Sequence, residues 1–203
     1  MPRAHPDRFY PIVDTIAWVE RLAKLGVRTV QLRVKDINPA AAARELVRDA
    51  LRVVDGTKCE VVINDYWQAA ISEGADHVHL GQEDLETADV STIKKSGITL
   101  GVSTHDHDEL AIALRHKPDY VALGPIYETT LKKMPFAPQG YARITEWKKL
   151  IGKIPLIAIG GIKLEHAPDV FAAGADSIAV VSDVTLNQDP DQRVRDWLTH
   201  TRA

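Results

Sequence analysis

Residues 73–80 read EGADHVHL, and residues 173–180 read AGADSIAV. In both, a glycine closes a helix-like stretch, where a positive φ is useful, and a strand-like run follows almost at once. A looser copy, LGVRTVQL, stands at residues 25–32. A helix that repeatedly delivers the chain into a strand marks parallel pairing, because antiparallel neighbours need only a hairpin between them.

Eight short β-rich runs carry this rhythm through the chain: FYPIV, RTVQLRV, CEVVIN, DHVHL, ITLGVS, DYVALG, IPLIAIGG and DSIAVVS. The segments between them, such as 15–25 and 39–54, place apolar residues at helical spacing, and Asn38-Pro39 reads as the cap and first turn of the second. Eight strand–helix units in 203 residues predict one α/β domain over 1–203, a (β/α)8 TIM barrel of near-minimal length. An open doubly wound sheet is the alternative. The longest irregular stretch, 125–140, is long enough to be a functional loop.

Composition narrows the function classes. A chain of this size, 45% hydrophobic, can bury about 70% of its unfolded surface in one core. The single cysteine, Cys59, excludes an intramolecular disulfide and a cysteine-rich zinc site, and its apolar surroundings suggest a core residue. Runs such as IPLIAI and SIAVV are too short to cross a bilayer, and MPRAHPDRFY lacks the apolar core of a signal peptide, so a cytoplasmic protein is expected with no membrane partner. The net charge of −3, without a run of lysine and arginine, speaks against nucleic acid. The sequence leaves assembly into a homo-oligomer open.

In such a barrel the chemistry sits where the carboxyl ends of the strands meet the following loops. Chemically capable residues fall at those ends: strand two ends in Arg33 and Lys35, strand three in Asn64-Asp65, strand four in HLGQED with Asp84, strand five in Ser103, and strands seven and eight in Gly160-Gly161 and Val181-Ser182, while strand six leads into the long loop with Thr129 and Lys132. In VQLRVKD, the alternation of Val30, Leu32 and Val34 with Gln31, Arg33 and Lys35 would aim three polar side chains at the barrel mouth, where an anion offsets their partial burial. Asp65 and Asp84 offer hard oxygen ligands suited to Mg²⁺, although either could instead cap the next helix. With Arg33, Lys35 and Lys132 nearby, a magnesium diphosphate is the expected ligand. The glycine pair and the Val181-Ser182 turn suit a second anion, a monophosphate held by backbone amides. His79 and His105 read as residues that line or orient the site. Trp67 and Trp147 fall in expected helices and read as packing.

The motifs QLRVKD, INDYW, VHLGQEDL, LGVSTHD, ALGPIYETTLKKMPFAPQG, IPLIAIGGI and SIAVVS, in that order over about 9–190, resemble the thiamine-phosphate synthase family. The resemblance implies that a pyrimidine diphosphate and a thiazole phosphate are joined to thiamine phosphate with release of pyrophosphate. It implies that Gln31 contacts the pyrimidine, that Arg33, Lys35, Asn64 and Lys132 hold the diphosphate, that Asp65 and Asp84 bind Mg²⁺, and that Ser103 lies close to the pyrimidine diphosphate. Thr129, Gly161, Val181 and Ser182 would line the thiazole phosphate pocket, with Thr130 and Leu131 beside them. Arg33, Lys35, Ser103 and Lys132 are the implied catalytic set. Where the family usually has PT-x-TK this chain has ETTLK, so Glu128 stands for the proline and Leu131 for the second threonine, and Leu131 supplies no hydroxyl to an anion. Rival readings are a thiazole tautomerase on the same barrel and a non-catalytic phosphate-binding barrel.

Overall fold

A computed structural model describes residues 4–38, 40–129 and 136–202. The eight β-rich runs become eight short strands: β1 (Phe9–Val13), β2 (Thr29–Leu32), β3 (Glu60–Asn64), β4 (His77–Leu80), β5 (Thr99–Thr104), β6 (Tyr120–Leu123), β7 (Leu156–Ile159) and β8 (Ser177–Val180). Each pairs in parallel with the next in sequence. The last returns to the first, with Phe9 opposite Ile178 and Tyr10 opposite Ala179. The sheet closes into a barrel, and closure leaves none of these strands with an open edge.

Helices alternate with the strands as α1 (Ile16–Lys24), α2 (Ala40–Val54), α3 (Trp67–Glu73), α4 (Gln82–Thr87), α5 (Val90–Lys95), α6 (His107–Arg115), α7 (Gly140–Ile151), α8 (Ala167–Ala172), α9 (Ser182–Thr185) and α10 (Pro190–Arg202). Thr15 caps α1, its hydroxyl accepting from the Trp18 N–H at 3.2 Å. Gly74 and Gly174, the glycines of the repeated motif, adopt φ of 76° and 115° where the chain leaves α3 and α8 for β4 and β8.

The barrel has two apolar regions. An outer shell buries the helix faces against the strands, Val19 and Leu22 of α1 and Val47 and Ala50 of α2 among them. Within it Phe9 stacks on Trp197 of α10 with ring centres 5.2 Å apart. Trp147 of α7 is fully buried, and its Nε1–H donates to Thr104 Oγ1 at 3.0 Å. Trp67 opens α3 and packs, partly buried, against the same shell. The thiol of Cys59, also in the shell, is pushed up to about 12 by burial, which keeps it protonated and inert. The second region fills the barrel itself with Tyr10, Ile12, Val62, Tyr120, Ala122, Ile157 and Ala179. Tyr120 occupies that space because its neighbour across the β5–β6 pair is Gly101, where a Cβ would lie 2.0 Å from the ring.

One expectation is corrected. Strand two stops at Leu32 instead of running through Val34. The Arg33 N–H still donates to Val13 O at 2.8 Å, but among the described residues no partner continues the ladder, and Asp36 at φ 59° turns the chain over the rim. Gln31 therefore belongs to the sheet, while Arg33 and Lys35 stand on the loop. The second helix begins at Ala40, and Pro39 lies outside the described residues. Among the described residues no helix is long and apolar enough to cross a membrane.

Candidate active site

The carboxyl ends of β2, β3 and β4 bring charged side chains together on one arc of the rim. Lys35 Nζ forms an ion pair with Asp65 Oδ2. Asp65 adopts φ 66°, and its N–H donates to His79 O at 3.0 Å, which ties the β3 end to β4. Asp84 lies in the first turn of α4 and shares a hydrogen bond with Asp65. Burial, then that hydrogen bond and repulsion from Asp65, raise the Asp84 carboxyl above the usual range, against the pull of Lys35 and a backbone hydrogen bond from Gly81. Neither aspartate is a helix cap, because Tyr66 and Gly81 hold the cap positions of α3 and α4. Two carboxylates close enough to share a proton fit a hard divalent cation, which would relieve their repulsion. Asn64, 5% exposed, keeps a buried Nδ2 with no hydrogen-bond partner among the described residues, a donor left for a ligand.

Below the rim a chain of hydrogen bonds crosses the barrel. Gln31, 2% exposed, donates through Nε2 to Tyr10 Oη at 2.8 Å, and Tyr10 Oη is 3.4 Å from Tyr120 Oη. His79 meets Tyr120 Oη through Nδ1 at 3.1 Å and Ser103 Oγ through Nε2 at 2.8 Å. Burial pushes the His79 pKa down to about 4; Asp65 opposes that shift, and Arg33 and Lys35 add to it. The imidazole is therefore neutral near pH 7, so one ring nitrogen donates and the other accepts. Burial raises both phenols, which keeps them protonated. Gln82 Nε2 donates to Ser103 O at 2.6 Å and fixes the serine from the other side. His79 thus orients Ser103, in keeping with its sequence reading, whereas Tyr10 and Tyr120 carry no local motif that marks them.

Above this chain opens a cavity of about 610 Å³. Arg33 and Ser103 line it together with Thr129, Gly161, Val181 and Ser182, whereas Gln31, Lys35, Asn64, Asp65 and Asp84, expected with Arg33 at the diphosphate end, are not among its lining residues. Gly161 is required where it stands: its φ is 66°, and a Cβ would fall 2.3 Å from Glu128 O. The same loops are strapped by Ile126 N–H donating to Ile159 O and Tyr127 N–H to Gly160 O, each at 2.9 Å. His105 also lines the cavity, with Nδ1 2.6 Å from Glu109 Oε2 and the Phe136 ring stacked on it at 4.6 Å. Asp14 and Trp18 complete the wall near β1; neither was singled out from the sequence. Thr130, Leu131 and Lys132 lie outside the described residues.

A family sequence model described as thiamine monophosphate synthase matches residues 9–184. The chain is 53% identical over 195 residues to a thiamine-phosphate synthase of Rhizobium etli, covering 96% of this chain and 95% of that one. It is 48% identical over 192 residues to a thiamine-phosphate synthase of Cronobacter sakazakii, covering 95% and 90%. Among solved structures, a thiamine phosphate pyrophosphorylase from Pyrococcus furiosus superposes with a TM-score of 0.82 at 23% identity, covering 96% of this chain and 95% of that one. A 3-hexulose-6-phosphate synthase superposes with a TM-score of 0.70 at 15% identity, covering 95% and 99%; at these identities both structures speak for the barrel alone.

Proposed function

The chain belongs to the thiamine monophosphate synthase family, and from that premise we propose that it joins 4-amino-5-hydroxymethyl-2-methylpyrimidine diphosphate to hydroxyethylthiazole phosphate, giving thiamine phosphate and pyrophosphate. The observation that carries the proposal is that Arg33 and Ser103 line the same cavity as Gly161 and Ser182, as a substrate pair that carries an anion on each partner would require.

The reaction replaces a carbon–oxygen bond to diphosphate by a carbon–nitrogen bond to the thiazole. The thiazole nitrogen enters with a lone pair and no proton to lose, so no general base is needed for bond formation. Arg33, Lys35 and Lys132 would hold the diphosphate and stabilise its charge as it departs, with Asn64 Nδ2 as a further donor. The electron-rich aminopyrimidine stabilises the methylene cation left behind, and the substitution is largely dissociative. Gln31 and Ser103, held through Tyr10, Tyr120 and His79, would fix the pyrimidine. Thr129, Gly161, Val181 and Ser182 would hold the thiazole phosphate, largely through backbone groups. Asp65 and Asp84 would bind Mg²⁺; their shared hydrogen bond supports this assignment. When bound there, Mg²⁺ supplies positive charge that offsets the charge of the diphosphate.

A second reading, isomerisation of the thiazole phosphate without coupling, is favoured by one observation: His105 lines the cavity with its ring held by Glu109. Incubation of purified protein with both substrates separates the two. Thiamine phosphate and pyrophosphate in equal amounts support the synthase; a thiazole phosphate altered without pyrophosphate supports the isomerase.

A further inference from the structure

A second cavity, of about 340 Å³, shares Thr129, Gly161 and Ser182 with the first and is completed by Glu128, Lys163 and Asp183. A phosphate monoester seated at Gly161 and Ser182 brings a charge of about −1.5 to −2 near pH 7, so the surrounding charges decide how well it is held. Asp183, whose side chain is 7% exposed, is already neutralised. Its Oδ1 accepts from Arg193 Nη2 at 2.8 Å, and its Oδ2 accepts from Arg193 Nε at 2.9 Å, Trp197 Nε1 at 2.8 Å and Leu164 N at 3.3 Å. Arg193 also holds Glu165 Oε2 at 2.9 Å, which leaves it balanced by two carboxylates. Glu128, exposed on the same wall, carries the same sign as the phosphate. Lys163 is the one cation among the described residues lining this cavity, and among them it has no ion-pair partner. The Asp183 bond to Leu164 N fixes the chain at the residue after Lys163, three residues beyond Gly161.

Resting on the functional reading above, we infer that Lys163 recognises the monophosphate of the thiazole substrate and, opposed by Glu128, sets the preference of this chain for that substrate over its unphosphorylated alcohol. The KM of each thiazole is measured at saturating pyrimidine diphosphate, and that of the pyrimidine diphosphate at saturating thiazole phosphate. Lys163→Gln raises the KM for hydroxyethylthiazole phosphate about tenfold, the effect of losing one charge-assisted hydrogen bond, and leaves the KM for the alcohol and for the pyrimidine diphosphate unchanged. Lys163→Arg keeps most of the wild-type preference. Glu128→Gln moves the KM for the phosphorylated substrate the other way, down about threefold. If Lys163→Gln leaves that KM unchanged, or raises all three alike, the inference is overturned while the functional reading stands. If the wild-type protein makes no thiamine phosphate from either thiazole, the functional reading falls and the inference with it.

Discussion

Arg33 and Cys59 mark the two ends of what a single residue does in this molecule. Arg33 lines the cavity and, among the described residues, has no carboxylate partner, so truncation removes charge from the proposed diphosphate end without breaking an ion pair. Arg33→Ala is expected to lower kcat/KM by about 10²-fold, the cost of roughly one strong charge-assisted contact. Cys59→Ser places a hydroxyl in the buried shell, costs about 1–2 kcal/mol of stability and leaves kcat/KM of the folded enzyme as it was. Equal effects on kcat/KM would contradict the assignment. His79 has a pH signature. Its pKa is about 4 in the folded barrel against 6.5 when exposed. Above pH 6.5 the group is silent because both states are neutral. As pH falls from 6.5 toward 4 the unfolded chain takes a proton that the native barrel refuses, and about 3 kcal/mol of stability is lost. Urea midpoints measured across that window should fall less steeply with acid in His79→Gln than in wild type; identical slopes would show that this imidazole is not kept neutral by the fold.

At the scale of the element, the strands and their loops answer to glycine. Gly101→Ala drives a Cβ to 2.0 Å from the Tyr120 ring and should cost about 1–3 kcal/mol or more in a thermal or urea melt. Gly161→Ala meets Glu128 O at 2.3 Å and loses its left-handed backbone, so the larger effect should be a raised KM for the thiazole phosphate. A variant with a changed melt and an unchanged KM would contradict its role in the phosphate cradle. The eight strands were legible because barrel strands buried on both faces read as short β-branched runs, each met by a glycine or polar turn. Strand two was read too long because Arg33, Val34 and Lys35 continue the alternation after the hydrogen-bond ladder has ended, and alternation carries no information about a missing partner. That Arg33, Asp65, Asp84 and Ser103 fall at the carboxyl-terminal rim of the barrel was legible from strand order alone. The Gln31–Tyr10–Tyr120–His79–Ser103 chain and the Asp183–Arg193–Trp197 cluster were not. The tyrosines that meet in the first are 110 residues apart, and the second joins α9 to the face of α10 through side chains that also pass for ordinary surface and core.

For the whole molecule, closure of the barrel gathers eight strand ends around one mouth, and this brings Arg33 and Ser103 into one cavity with Thr129, Gly161, Val181 and Ser182 from the far half of the sequence. In the proposed reaction, residues at the ends of β2 to β5 would build the diphosphate side, and the loops after β6, β7 and β8 the monophosphate side. The reaction needs both in register, because carbon and nitrogen must meet between them. The most direct measurement follows thiamine phosphate and pyrophosphate together in one reaction of purified protein with both substrates, with Mg²⁺ and after its removal by chelation. The account predicts equimolar appearance of the two products, lost on chelation and restored by added Mg²⁺. Consumption of either substrate without pyrophosphate, or coupling that persists unchanged in the chelated protein, would contradict it.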